Sequence, residues 1–106
     1  MKSRNIIAIL RGVRPSEVIQ IGNVLIAAGI NVIEVPLNSP KPFDSITKLK
    51  TELGDSAKIG AGTVLTVEDV SKLKDAGGEL VVSPNCDIDV IKATKVAGMK
   101  SYPGVF

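Results

Sequence analysis

Glu34 is the residue that most invites a chemical reading. It interrupts the apolar stretch Val32-Ile33-Glu34-Val35, so its ionised form would lose water and its pKa would rise unless a cation compensates. A carboxyl group tuned in that way serves as a general acid/base near neutral pH. The plainer reading is a glutamate at an exposed strand end, or one paired with Arg11. Arg11 is equally open: a clamp for a substrate anion, the partner of Glu34, or both. Gly60-Ala61-Gly62-Thr63 allows a ligand close to the backbone beside a hydroxyl, although glycines at strand ends also serve tight turns. Ser83-Pro84-Asn85-Cys86 can line a site, or can be a rigid turn leading to Asp87.

Composition removes much of the competing chemistry. The chain has no histidine, which takes away the commonest metal ligand, every Ser–His or Cys–His nucleophile pair and any imidazole acid/base. Its single cysteine, Cys86, excludes an intrachain disulfide and a multi-cysteine zinc site, and without a histidine beside it reads as a small, partly buried residue. The net charge of +2 is too small to point to nucleic acid or an anionic membrane. The three aromatics (Phe43, Tyr102 and Phe106) make no base-stacking platform. Ile6 to Leu10 is too short for a signal peptide core, and no apolar run approaches the roughly 20 residues of a membrane span. A cytoplasmic protein is the expectation.

The candidate residues need elements to hold them, and the chain supplies these in a repeat. Gly29, Gly54, Gly77 and Gly98 follow helix-like stretches at spacings of 25, 23 and 21 residues. Each can take the left-handed conformation that ends a helix. Short apolar runs follow them at Val32–Val35, Lys58–Ala61, Leu80–Ser83 and Met99–Tyr102, and Ile6–Leu10 opens the chain. Their near-continuous hydrophobicity predicts buried parallel strands. Helix signatures lie between: a stripe of Val18, Ile21, Leu25 and Ala28 begun by Pro15, and an apolar face of Phe43, Ile46, Leu49 and Leu53 after Ser39 as cap and Pro40 in the first turn. Thr66 with Asp69 resembles a capping box, and Asp87 can cap a fourth helix. The order β-α-β-α-β-α-β-α-β predicts an α/β fold with a parallel sheet, without an internal domain boundary over residues 1–106. Two closures remain open: a doubly wound sheet, or part of an eight-stranded barrel. In both, ligands meet the carboxyl ends of the strands. Arg11, Glu34, Thr63, Pro84 and Pro103 all fall there.

Ile9-Leu10-Arg11-Gly12, Ile33-Glu34-Val35-Pro36-Leu37-Asn38-Ser39-Pro40, Ile59-Gly60-Ala61-Gly62-Thr63-Val64-Leu65, Val82-Ser83-Pro84-Asn85 and Pro103-Gly104-Val105 stand in the order seen in one family. The chain closely resembles the amino-terminal half of the 2-keto-3-deoxy-6-phosphogluconate/phosphogalactonate aldolases. Pro36-Leu37-Asn38-Ser39-Pro40 looks like the phosphogalactonate branch; the phosphogluconate branch tends to carry an arginine where this chain has Asn38. The resemblance implies the first four βα units and fifth strand of a (β/α)8 TIM barrel. It implies a class I aldolase, usually trimeric and without metal or cofactor. A lysine forms a Schiff base with a phosphorylated keto-deoxy sugar acid, and cleavage gives pyruvate and glyceraldehyde 3-phosphate. Glu34 would shuttle protons, Arg11 and Thr63 would contact the carboxylate end, and the Pro84 and Pro103 turns would shape the pocket.

The resemblance also places the Schiff-base lysine in a Lys-x-Phe-Pro segment beyond Phe106, and the phosphate loops further on. None of the ten lysines here matches that position. The isolated chain is therefore expected to be inactive and, stopping after a fifth strand, to leave an open face around Val32, Leu80 and Val82. It would cover that face as a homo-oligomer or with a complementing carboxy-terminal half. The alternative is a non-catalytic half-barrel kept for binding or assembly.

Overall fold

Each apolar run becomes a strand and each stripe a helix in the computed structural model, which describes residues 6–83 and 87–103. The order is β1 (Ile7–Ile9), α1 (Val18–Ala27), β2 (Val32–Pro36), α2 (Pro42–Leu53), β3 (Lys58–Gly62), α3 (Val67–Asp75), β4 (Leu80–Ser83), α4 (Ile88–Val96) and β5 (Lys100–Pro103). All pairings are parallel, and the strands lie side by side in chain order, β1-β2-β3-β4-β5. That order decides between the two closures. A doubly wound sheet reverses direction at a switch point, whereas right-handed crossovers that always step the same way put every helix on one face. These five strands have no reversal, as in a barrel wall.

The helices bury that face. Ile33 and Val35 of β2, Ile59 and Ala61 of β3 and Val81 of β4 are fully buried, and Val18, Ile46, Leu49, Val70, Leu73 and Val90 meet them from the four helices. At about 25 cal/mol per Å² of apolar surface removed from water, this layer is the main stabilising element of the fold.

The helix ends show which local signals held. Thr66 Oγ1 accepts from Asp69 N at 3.1 Å, and Asp87 Oδ1 accepts from Asp89 N and Val90 N at 2.9 and 3.2 Å, so both expected caps form. Gly29, Gly77 and Gly98 have φ of 88°, 93° and 79° and end their helices in the left-handed conformation. Gly54 differs: it is right-handed, with φ −62°, because the chain continues to turn through Ser56 and Ala57, whose amides bond back to Leu53 O. Two starts also move. Pro15 opens a turn ahead of Val18, tied by Arg14 N donating to Glu17 Oε1 at 2.9 Å. Pro42, not Pro40, is the first residue of α2, behind a left-handed Lys41.

Candidate active site

The carboxyl rim gathers its groups from three successive strand ends. Glu34 lies on the side of β2 away from Ile33 and Val35, with Val32 and Pro36. Its backbone is held within the sheet, where Leu10 N donates to Glu34 O at 3.0 Å. Its side chain is 3% exposed, which rules out the exposed strand end. It makes no ion pair with Arg11 either: among the described residues the only ion pair is Lys50–Glu79. Glu34 Oε2 is buried without a hydrogen-bond partner among the described residues. Burial pushes the Glu34 carboxyl up from 4.5 to about 7, against the opposing pull of the Arg11 charge. Arg11 is therefore near enough to act through its field, yet exposed and free to meet an anion.

A hydrogen bond that local sequence rules did not foresee ties down the turn next to Arg11. Ser39 caps no helix; it is 6% exposed, and its Oγ accepts from Gly12 N at 3.2 Å, 27 residues away. This bond ties the turn after β1 to the turn after β2, where Ser39 N itself donates to Pro36 O at 3.0 Å. The only advance signal was a serine between two prolines, which local rules assign to a cap.

Thr63 leaves β3 with φ 55°, in the left-handed region that a β-branched residue enters only under strain. The turn it makes lets Val64 N donate to Val82 O at 3.4 Å and buries Val64 completely. Strained residues held by their surroundings cluster at functional sites, and this one carries a hydroxyl at the rim. Ser83 ends β4 but alternates with Val82, so it shares the helix-covered side with Val81 rather than the side of Glu34. Pro103 is the backbone partner of Ser83 in the register of β4 and β5. Pro84, with Asn85 and Cys86, lies outside the described residues.

The open face is only partly as expected. Val32 and Val82 are half-buried and Ile9 is 55% exposed. Leu80 is not exposed but buried to 1%. It lies across Gly60, whose absent side chain leaves the space that Leu80 fills.

Fold and rim together define a (β/α)8-barrel wall with a buried carboxyl at the carboxyl ends of its strands. The description "KDPG and KHG aldolase" matches residues 1–106, and the chain belongs to that aldolase family. A probable 2-dehydro-3-deoxy-6-phosphogalactonate aldolase of Rhizobium meliloti (strain 1021) is 48% identical over 97% of this chain and 49% of that protein. The structure described as native KDPGal superposes with a TM-score of 0.91 at 40% identity, covering 97% of this chain and 52% of that one. A KDPG aldolase from Legionella pneumophila, with pyruvate captured at low pH as a covalent carbinolamine intermediate, superposes with a TM-score of 0.85 at 27% identity, over 93% of this chain and 48% of that one. The chain spans about half the length of the curated relatives it matches.

Proposed function

We propose that this chain carries the acid/base half of a class I aldolase site for 2-keto-3-deoxy-6-phosphogalactonate. The observation that carries the reading is Glu34: a buried carboxyl with one oxygen unpartnered among the described residues, held near pKa 7 at the carboxyl rim between Arg11 and Thr63. A group half-protonated at neutral pH can give a proton to a carbinolamine hydroxyl and take one back as the imine and enamine interconvert. In this reading Arg11 and the Thr63 hydroxyl hold the carboxylate end of the keto acid, and Pro84 and Pro103 shape the pocket. The carbinolamine in the Legionella relative supports covalent chemistry with pyruvate, and needs a lysine amine. That amine would come from a Lys-x-Phe-Pro segment in a carboxy-terminal half.

Asn38, exposed on the turn after β2, favours the galactonate over the gluconate epimer, in line with the name of the Rhizobium relative. The reading includes a homo-oligomer, trimeric as is usual for the family, or the complementing half, as the cover of the open face. The test is reductive trapping. Pyruvate and borohydride should leave no adduct on any lysine of the 106-residue chain. After pairing with a half that supplies the Lys-x-Phe-Pro segment, a pyruvyl adduct should form, with faster turnover of the galactonate epimer. An adduct on the isolated chain, at Lys100 for instance, would overturn the division of labour; faster turnover of the gluconate epimer would overturn the substrate.

A further inference from the structure

Gly62 ends β3 as an ordinary extended residue; the glycines with positive φ among the described residues are Gly12, Gly29, Gly77 and Gly98. Backbone conformation therefore does not require glycine at 62. Space does. A Cβ built at Gly62 would fall on the carboxylate of Glu34: both oxygens and Cδ are its three nearest heavy atoms, all closer than real Cβ atoms come to anything. The three nearest atoms all belong to that one side chain, unlike at Gly60, where the nearest atom is Leu80 O.

We infer that Gly62 is a positioning residue whose missing side chain forms the seat of the Glu34 carboxylate. The inference rests on the acid/base reading of Glu34 and deepens it by naming what keeps the group in place. The seat is sheet backbone between β2 and β4, where Oε2 has no partner among the described residues and little access to water. The atoms nearest to a methyl group at 62 are the far end of a flexible side chain, so the fold can keep its shape while Glu34 swings out toward Arg11 and solvent. Thr63 obeys the opposite logic, since its backbone favours glycine and a side chain stands there regardless. The two neighbours thus invert what local conformation would choose.

The experiment is titration of Glu34 by carboxyl-carbon NMR in the chain and in its Gly62→Ala variant, neither of which needs substrate. Seating predicts that the midpoint drops from about 7 back toward 4.5 in the variant. A folded variant whose Glu34 still titrates near 7 overturns the inference. Should Gly62→Ala not fold, the same substitution in a Glu34→Ala background decides. There the methyl enters vacated space, so a folded double variant upholds the seat and an unfolded one overturns it. Failure of the acid/base reading is recognised separately. Glu34→Gln with full turnover in an assembled enzyme would remove that reading and leave the seat intact.

Discussion

The two faces of the sheet are built from the same strands and come out differently. On one, Ile33, Val35, Ile59, Ala61 and Val81 are sealed by four helices that the chain supplies itself. On the other, Ile9 is 55% exposed, Val32 and Val82 are half-buried, and two glycines, one leucine and one carboxyl replace a continuous apolar layer. The helix face is a packing problem solved locally, βα unit by βα unit. The other face keeps a buried carboxyl with one oxygen unpartnered among the described residues, an arrangement that does not maximise stability.

The sharpest way to separate the faces is to remove the carboxyl. In an enzyme completed with the Schiff-base lysine, Glu34→Gln should lower turnover by ~10²–10⁴-fold, the usual contribution of a positioned acid/base, with substrate affinity and fold kept. Steady-state kinetics with a circular-dichroism melt checks this; full activity with a lowered melting point would make Glu34 structural. Packing gives the next largest effect. Ile59→Ala, on the helix face, should destabilise by about 2–5 kcal/mol in urea unfolding, while Ile9→Ala on the open face should stay under about 1 kcal/mol. Equal losses would mean that both faces are cores, and that Ile9 is covered in solution.

The pH dependence of stability reads the same contrast. The folded pKa of Glu34 lies above its ordinary value, so the native state holds the proton more tightly than the unfolded chain. Stability from this group is fully present below about 4.5 and is lost as pH rises through about 7. Unfolding free energies from urea titrations should fall across that window by about 3 kcal/mol, and Glu34→Gln should flatten the slope. A wild-type slope that survives the substitution points to another group.

The smallest effect belongs to Thr63. Replacing it with glycine relieves a left-handed β-branched residue, and should stabilise the chain by about 1 kcal/mol despite the entropy that glycine adds to the unfolded state. The same variant should bind the keto acid more weakly in the assembled enzyme. Calorimetry of unfolding and of pyruvate binding would show the opposed signs; a destabilised variant would mean that contacts of the threonine side chain outweigh its backbone strain.

Much of this could be read from the amino-acid order. Ala-Gly pairs and short apolar runs set the number and sequence of strands and helices, because a helix stop and a buried strand are each decided within a few residues. The Thr66 and Asp87 caps were legible for the same reason, as was Glu34, since a carboxyl inside an apolar run is conspicuous without any structure. Other features depended on residues far apart in the chain. Periodicity is the same for an open sheet and a barrel wall, and only the consecutive strand order separates them. Ser39 looked like a cap and instead holds the turn of Gly12; Leu80 looked exposed and is instead laid over Gly60. Gly62 looked like room for a ligand and is the room taken by Glu34. In each case the deciding contact joins neighbouring βα units, and such a contact is a matter of distance in space, on which local spacing along the chain is silent.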